Sequence, residues 1–210
     1  MTGEIDPHAL TSVDQLRQIY GPPKVAAAHK VIDHVDALAA AYIGRSPLLL
    51  LATVSKSGDL DVSPKGEGPG FVQVLDPHTL LIPDRPGNNR IDGLQNIVET
   101  GRIGLIFLVP GVRETLRVNG TARITTDPAL MSALAVDGKL PRSVTVVTPH
   151  EVFMHCARAL VRSRLWDSST QAAPGEVPSM GTMMAAHTGG LIDQCEYDAA
   201  LPERLLVDLY

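Results

Sequence analysis

The spacing of apolar and polar residues divides the chain into three zones. In the first zone, apolar residues recur at helical spacing over Val25–Ile43, and Ser12 with Gln15 fits a capping box that would begin an earlier helix. The middle zone, from about Ser46 to His155, consists of short apolar runs separated by polar turns, as in β-strands. The last zone begins at about Ala157, where a loop rich in Ser, Ala, Pro and Gly precedes two short predicted helices.

The middle zone predicts a mainly β fold with inserted helices. Strands are predicted at Leu48–Ser55, Leu60–Lys65, Phe71–Leu75, Thr79–Ile82, Arg102–Val109, Thr115–Thr125, Arg142–Val147 and His150–Cys156, and helices at Asn89–Glu99, Pro128–Ala135, Met180–His187 and Gln194–Leu209. Arg102–Val109 is almost wholly apolar, which predicts a strand covered on both faces. Asn119 and Gly120 interrupt the next strand and predict a bulge or a tight bend. The whole pattern favours a small antiparallel barrel in an α+β fold.

Composition and charge narrow the class of protein. The 210 residues include 18 basic and 23 acidic side chains, for a formal net charge of −5. Nucleic acids and anionic membranes attract clustered Lys and Arg, so we expect this mildly acidic chain to bind neither. The apolar runs are strand-sized and the N-terminus lacks the pattern of a secretory signal, which predicts a cytoplasmic protein.

Several motifs with familiar chemistry are excluded by their spacing. His150 and His155 lie five residues apart, so in a strand they face opposite sides and cannot share a metal ion. The chain has no Walker A sequence and no serine in a nucleophile elbow. Cys156 ends an apolar run, where we expect a buried small side chain rather than a nucleophile. Hydrolase chemistry and a metal site therefore have little support.

The most informative segment is Ile82-Pro83-Asp84-Arg85-Pro86-Gly87-Asn88-Asn89-Arg90, between a predicted strand and a predicted helix. The first N–H groups of a helix and its positive dipole end suit a phosphate. Gly87 allows the backbone to approach a ligand closely, and Asn88 and Asn89 can donate amide hydrogens. Arg90 can bind phosphate oxygens bidentately. An asparagine cap beside a solvated arginine is the alternative interpretation.

Two further groups of residues have polar or cationic side chains. Ser63 and Lys65 alternate with Pro64, so they share one face of a strand that the proline places at an edge or bulge near a ligand. The second group surrounds the single tryptophan and consists of Arg158, Arg162, Arg164 and Trp166. It forms either a basic surface beside a core indole or an anion site next to a stacking surface for a flavin.

Taken in order, these motifs resemble those of a known family. The set comprises Ser63–Lys65, Pro83–Asn96, Arg102–Gly111, Glu114–Ala122 and His155–Trp166. It resembles the pyridoxamine 5′-phosphate oxidase-like superfamily of FMN-binding split barrels, on a bacterial branch distinct from the vitamin-processing enzyme. The resemblance covers about Leu48 to Trp166. It implies a barrel at 46–166, with a helical extension at 1–45 and a loop and helical tail at 167–210.

The resemblance implies a six-stranded antiparallel split β-barrel that forms a homodimer, with FMN bound at the dimer interface. By position, the implied cofactor-binding residues are Ser63, Pro64, Lys65, Pro83, Asn88, Asn89, Arg90, Arg117, Arg162, Arg164 and Trp166. In the family, the segment at 88–90 holds the phosphate, the strand at 63–65 runs along the flavin, and the strand of Arg117 approaches from the partner subunit. No catalytic residue is assigned, because no side chain stands out as a general acid or base.

The implied activity is FMN-dependent oxidation or reduction of a small substrate, with NADH or NADPH as a candidate electron donor. We do not expect oxidation of vitamin B6, because no arginine and histidine match the pair with which pyridoxamine phosphate oxidases hold their substrate. Two alternatives stay open. Related barrels bind a deazaflavin coenzyme or haem, and a flavin could also be carried or sensed without turnover.

Overall fold

The computed structural model describes residues 6–207, in two compact units that divide between Val31 and Ile32. The first unit contains helices α1 (Val13–Tyr20) and α2 (Val25–His29). The predicted capping box at the start of α1 is confirmed. The Ser12 hydroxyl accepts a hydrogen bond from the Gln15 N–H at 3.2 Å, and the Gln15 side chain accepts one from the Ser12 N–H at 3.2 Å.

The helix predicted over Val25–Ile43 is wrong in its centre, where the chain leaves helical geometry and later forms a new helix, α3 (Ala37–Ile43). Asp36 begins α3, and its carboxylate accepts a hydrogen bond from the third N–H group of the helix. Ile32 pairs with Val152 as in an antiparallel sheet, since each N–H donates to the carbonyl of the other. The spacing of apolar residues in the sequence does not distinguish this bridge from a turn of helix.

Within the described residues, seven strands form one antiparallel sheet. They are β1 (Leu48–Val54), β2 (Leu60–Gly66), β3 (Gln73–Asp76), β4 (Thr79–Asp84), β5 (Arg102–Leu108), β6 (Thr115–Thr125) and β7 (Ser143–His155). Their order across the sheet is β2-β1-β5-β6-β7-β4-β3, and the outer two of these strands do not pair with each other. The sheet is therefore open, as in a split barrel. It has one strand more than the resemblance implies, and the two runs predicted at 142–156 are continuous in β7.

A β-bulge between Asn119 and Gly120 interrupts the pairing of the two longest strands, as the sequence predicts. The register of β6 against β7 shifts at this point. A Cβ atom added at Gly120 would collide with the carbonyl oxygen of Thr148 on β7. Only glycine therefore allows the two backbones to approach this closely. The extra residue of the bulge is His150, so β7 is the strand that bends at this point.

The main core lies between the inner face of the sheet and two helices, α3 and α4 (Asp92–Thr100). Its largest fully buried side chains are Ile43, Leu49, Leu80, Ile82, Ile97, Leu105, Phe107, Leu116, Val118 and Val147. A smaller apolar cluster joins helix α5 (Pro128–Ala133) to strands β4 and β7. The contacts of the main core fix α4 against the strands that border the candidate site.

Within the described chain, strand β5 is covered on one face only, so one chain does not provide the second cover that is predicted for Arg102–Val109. Buried and half-buried residues alternate along β5, because no helix of the described chain covers its second face. That second face belongs to a largely apolar surface of the sheet, which we call the outer face. Its apolar residues are Leu60, Val62 and Pro64 on β2, Leu48, Leu50 and Ala52 on β1, and Ile106 and Leu108 on β5.

The segment after β7 differs from its prediction in two ways. β7 ends at His155, so Cys156 lies outside the strand and is exposed rather than buried. Arg158–Ser163 forms a helix, α6, where the sequence predicts only the start of a tail. Helices α7 (Met180–His187) and α8 (Gln194–Val207) follow, close to their predicted bounds.

The α+β class, the N-terminal helices and the helical C-terminal tail are confirmed. Asp198 on α8 fixes the start of α7, because its carboxylate accepts hydrogen bonds from the Gly181 N–H at 2.8 Å and the Ser179 hydroxyl at 2.5 Å. Among the described helices, none has the length and apolar character needed to cross a membrane.

Candidate functional site

A polar cavity of about 360 Å³ lies where β2, the end of β4 and the start of α4 come together. Its charged and amide side chains are Asp61, Lys65, Asp84, Arg85, Asn88, Asn89, Arg90, Asp92 and Arg142. Of the sequence-predicted cofactor residues, the cavity brings together Ser63, Lys65, Asn88, Asn89 and Arg90. Charged and amide side chains thus make up nine of the seventeen lining residues, which suits a charged, hydrogen-bonding ligand.

Strand β2 contributes every second residue to the cavity. Asp61, Ser63 and Lys65 line it, as the strand period of two requires. Pro64, between them, belongs to the outer face and does not line the cavity. The Lys65 Nζ lies 2.9 Å from the Asp84 Oδ1 at the end of β4, so this ion pair connects two strands that are far apart in the sheet.

The turn before α4 is held by its own side chains. The Asn88 Oδ1 accepts a hydrogen bond from the Arg90 N–H at 3.0 Å, and the Arg90 Nε donates to the Asp92 Oδ2 at 2.7 Å. The bond to Asp92 raises the pKa of Arg90, and the charge of Asp61 acts in the same direction. Since 79% of the Arg90 side chain is exposed, this ion pair is weak and the guanidinium can turn to a ligand.

The backbone of the same turn has two residues in left-handed geometry. Asn89 and Ile91 have φ values of 60° and 54°, and the left-handed region is strained for a β-branched residue such as isoleucine. Residues that alternate between left- and right-handed geometry point successive N–H groups into one concavity, which binds anions. α4 then begins at Asp92 without a side-chain cap, so its first N–H groups and positive dipole end are available at the cavity.

Gly93 allows α4 to begin directly against β1 and β2. A Cβ atom added there would lie 3.0 Å from the Asp61 Oδ2 and 3.9 Å from the Leu51 Cδ2. The close approach predicted at Gly87 is to a ligand, and the space beside this glycine is open, since no atom would lie within 4 Å of a Cβ there. Gly93 is therefore the glycine that the packing of this site requires.

Arg142 is a cavity residue that sequence reasoning missed. Its Nη1 donates to the Asn89 Oδ1 at 2.6 Å, and its backbone N–H donates to the Asp84 carbonyl at 2.9 Å. The arginine precedes β7, and the pairing of β7 with the end of β4 brings it to the turn. No local motif marks this position, because only long-range strand pairing creates it.

Arg85 supports the wall of the cavity, and its hydrogen bonds give it a structural role. Its Nε and Nη2 donate to the two carboxylate oxygens of Glu67 at 2.8 and 3.0 Å, and the Nη2 also donates to the Leu134 carbonyl at 2.8 Å. The side chains of Arg85 and Glu67 are only 12% and 8% exposed. This bidentate pair holds the loop after β2 and the loop after α5 against the start of the turn.

Arg117 does not reach the polar cavity within one chain. It borders a second cavity of about 570 Å³ beside the outer face. Its Nε donates to the Asn119 Oδ1 at 3.2 Å, the Asn119 amide donates to the Glu151 Oε2 at 2.7 Å, and the guanidinium lies 5.5 Å from the centre of the Phe153 ring. These contacts hold Arg117 in place on the outer face.

The predicted C-terminal site residues also lie elsewhere. Arg164 and Trp166 line a third cavity of about 440 Å³, where Arg164 forms an ion pair with Asp167 at 2.7 Å and the Trp166 Nε1 donates to the Val112 carbonyl at 2.7 Å. Arg162 is exposed on α6, and Pro83 is buried within β4 rather than lining the polar cavity. One chain alone therefore brings five of the eleven predicted residues together in the polar cavity and places the other six outside it.

Comparison with known proteins identifies the family. A family model for pyridoxamine 5′-phosphate oxidase matches residues 35–156, which is more than half of the chain. The chain belongs to the pyridoxamine 5′-phosphate oxidase family. The match spans every described strand of this oxidase-family sheet and all the residues that line the polar cavity. No curated protein sequence matches the chain.

Solved structures provide more distant likenesses to this oxidase-family chain. A HupZ variant from Group A Streptococcus is 20% identical over 58% of this chain and 99% of that chain, with a TM-score of 0.49. An FMN-binding protein from Syntrophomonas wolfei is 12% identical over 54% and 79%, with a TM-score of 0.41. An FAD-binding protein from Mycobacterium smegmatis is 15% identical over 59% and 97%, also with a TM-score of 0.41. Membership of the family rests on the family match and not on these likenesses.

Proposed function

We propose that this chain binds FMN with its phosphate in the polar cavity and uses the flavin to exchange electrons with a small substrate. The observation that carries the proposal is the turn at 88–91, whose left-handed residues and uncapped helix start form an anion site in a member of this oxidase family. A phosphate group matches both the charge and the hydrogen-bonding geometry of such a site.

Three side chains would hold the phosphate. Asn89 and Arg90 come from the turn itself, and Arg142 comes from the start of β7. Arg142 forms no ion pair with a described carboxylate, so its charge is available to a ligand. The two guanidinium groups would each donate to phosphate oxygens, which gives charge-assisted hydrogen bonds of roughly twice the usual strength.

Lys65 would supply the cationic group for the redox part of the ligand. It lies on β2 two positions beyond Ser63, on the cavity face and away from the start of α4. A positive charge there favours the negative charge that a flavin acquires on reduction. The flavin, when bound, would supply the electron-transfer chemistry, while the chain binds and orients it.

The lining of the cavity favours a flavin over haem. Haem iron is held by His, Cys, Met or Tyr side chains, and none of the described residues that line the polar cavity is of these types. A deazaflavin coenzyme and a carrier or sensor role remain the alternatives to a flavin enzyme, and the experiments below distinguish them.

A homodimer is part of the same proposal. The outer face is apolar across three strands, with Leu60 80% exposed and Val62 62% exposed. Exposed apolar surface of this extent is typical of a protein–protein interface. A second copy of this chain is the partner we propose, because the resemblance places Arg117 at the cofactor of the other subunit and Arg117 borders the outer face. The dimer would then complete each cofactor cleft with residues that one chain keeps apart.

Replacing Arg90 by alanine tests the phosphate site. We expect Arg90→Ala to weaken FMN binding by about ten- to a hundredfold, since a charge-assisted hydrogen bond contributes roughly 1.5–3 kcal/mol. Riboflavin, which has no phosphate, should lose little affinity. Fluorescence titrations of both ligands into wild type and variant measure the difference, with Arg123→Ala on β6 as the matched control outside the cavity. Equal losses for the two ligands would remove the phosphate role.

The absorption spectrum and its response to a reductant test the redox assignment. We expect the purified protein, or the protein mixed with FMN, to show the spectrum of an oxidised flavin that NADH or NADPH bleaches and an electron acceptor restores. A deazaflavin or Soret spectrum would identify a different cofactor. A bound flavin that neither nicotinamide reduces, and that no acceptor reoxidises after chemical reduction, would indicate a carrier or sensor.

A charged substitution on the outer face tests the dimer. We expect wild type to sediment as a dimer and Val62→Glu to sediment as a monomer with weakened FMN binding, because a carboxylate would be buried at the interface. Leu75→Glu is the matched control, since Leu75 on β3 is 58% exposed and lies off the outer face. A wild-type monomer that binds FMN tightly would overturn this part of the proposal.

A further inference from the structure

The charges that line the polar cavity balance one another before a ligand binds. Among the described residues, the lining has four cationic and three carboxylate side chains, which are Lys65, Arg85, Arg90, Arg142, Asp61, Asp84 and Asp92. Arg85 is paired with Glu67, which is not part of the lining, so three positive and three negative charges remain. A site without net positive charge does not compensate a doubly charged phosphate. The cavity therefore favours a phosphate group with a single negative charge.

Asp61 is the carboxylate of the lining that forms no ion pair with a described cation. The other two are each paired with a cation of the cavity. Asp61 is half-buried, and its single described hydrogen bond is donated by the Ser63 hydroxyl to its Oδ2, at 3.0 Å. An ionised carboxylate can only accept hydrogen bonds, and no described group donates to the Oδ1. A donor on the ligand would therefore find an acceptor at this atom.

Asp61 lies where the phosphate of the ligand is proposed to bind. Its Oδ2 would be 3.0 Å from a Cβ atom at Gly93, in the first turn of α4. The pKa of Arg90 is raised first by the bond to Asp92 and further by the charge of Asp61, so Asp61 also acts on the turn before α4. A phosphate held by this turn and by the first N–H groups of α4 would meet a carboxylate beside its donors.

Two anionic groups in one site can share a proton. When like charges lie close together, the pKa of one group rises, so that a single proton stays between the two. A phosphate monoester loses its second proton at about pH 6 in water, so this proton is available near neutral pH. A protonated phosphate oxygen donates a short, charge-assisted hydrogen bond to a carboxylate.

We propose that the cavity binds the phosphate group of its ligand with one proton retained, in a hydrogen bond between a phosphate oxygen and Asp61. Asp61 thereby selects a singly charged phosphate group. Above about pH 6, binding of the ligand then takes up a proton from solution. This inference rests on the proposed flavin function and adds the charge state in which the phosphate is bound.

The other charged groups that face Asp61 do not remove the need for this proton. They come from β2, from the end of β4, from the turn and start of α4 and from the residue before β7, and are Lys65, Asp84, Arg90, Asp92 and Arg142. The first four form two ion pairs, and β1 contributes the neutral Leu51. The single charge of Arg142 does not compensate both Asp61 and a doubly charged phosphate. The described lining contains no histidine, so no other group of the lining exchanges a proton near neutral pH.

Titrations at several pH values test the shared proton. FMN and riboflavin, which has no phosphate, are titrated into wild type and Asp61→Asn between about pH 6 and pH 8. We expect the affinity of wild type for FMN to fall by about tenfold for each pH unit above about 7, since free FMN loses the proton that the complex retains. Asp61→Asn should lose this dependence and bind FMN more tightly than wild type at the highest pH, because an amide can donate to a doubly charged phosphate. The affinity for riboflavin should not change with pH in either protein.

Asp14→Asn makes the same charge change at a residue that does not line the cavity, and it should keep the pH dependence of wild type. A wild-type affinity for FMN that is constant over this range would overturn the inference alone. A fall that persists in Asp61→Asn, or that riboflavin shares, would also overturn it, because the proton would then belong to another group. If wild type binds no flavin, the proposed function fails and this inference fails with it.

Calorimetry of wild type decides the matter if Asp61→Asn does not fold. Titrations with FMN in two buffers of different ionisation enthalpy measure the protons that binding takes up. We expect about one proton per FMN above about pH 7 and none for riboflavin. Binding of FMN without proton uptake would overturn the inference and leave the proposed function intact.

Discussion

The pairing of the end of β4 with the start of β7 is the constraint on which the candidate site depends. It sets Asp84 opposite Ser143 and brings Arg142 beside the turn. The chain must then pass from β4 to α4, which packs against β1 and β2, within residues 85–91. This short crossing ends in the left-handed residues Asn89 and Ile91, and the strain at Ile91 is retained because the surrounding contacts hold the turn.

Charge balance holds the lining of the cavity together. Lys65 is paired with Asp84, and Arg90 is paired with Asp92, so two cations are already compensated. The pair at Arg90 is exposed and weak. Among the described residues, the Arg142 guanidinium is bonded to the neutral side chain of Asn89 and forms no ion pair. A phosphate would therefore draw on Arg142 and the backbone N–H groups first, and Arg90 could join them by turning away from Asp92.

Local features were predictable from the sequence, and long-range features were not. The capping box at Ser12 depends on neighbouring residues, and the bulge at Gly120 is marked in the sequence by an Asn-Gly pair within a strand, so their patterns were sufficient. Two predictions were wrong where pairing between distant parts of the chain determines the structure. The first was the continuous helix before Ile43, and the second was a list of site residues that omitted Arg142. The second cover expected for β5 is not provided by the described chain, because an apolar run does not reveal whether the residues that cover it belong to the same chain.

The residues of the candidate site also fall into two groups, those that the local sequence marks and those that only the packing reveals. The turn before α4 was predictable because glycine, asparagine and arginine stand next to each other before a helix, whereas the role of Gly93 became visible only in its packing against Asp61. A crystal structure of the chain with FMN tests the central claim most directly. The account predicts the phosphate within about 3 Å of the Arg142 guanidinium and of backbone nitrogens at the start of α4. A flavin phosphate bound outside the polar cavity would contradict it.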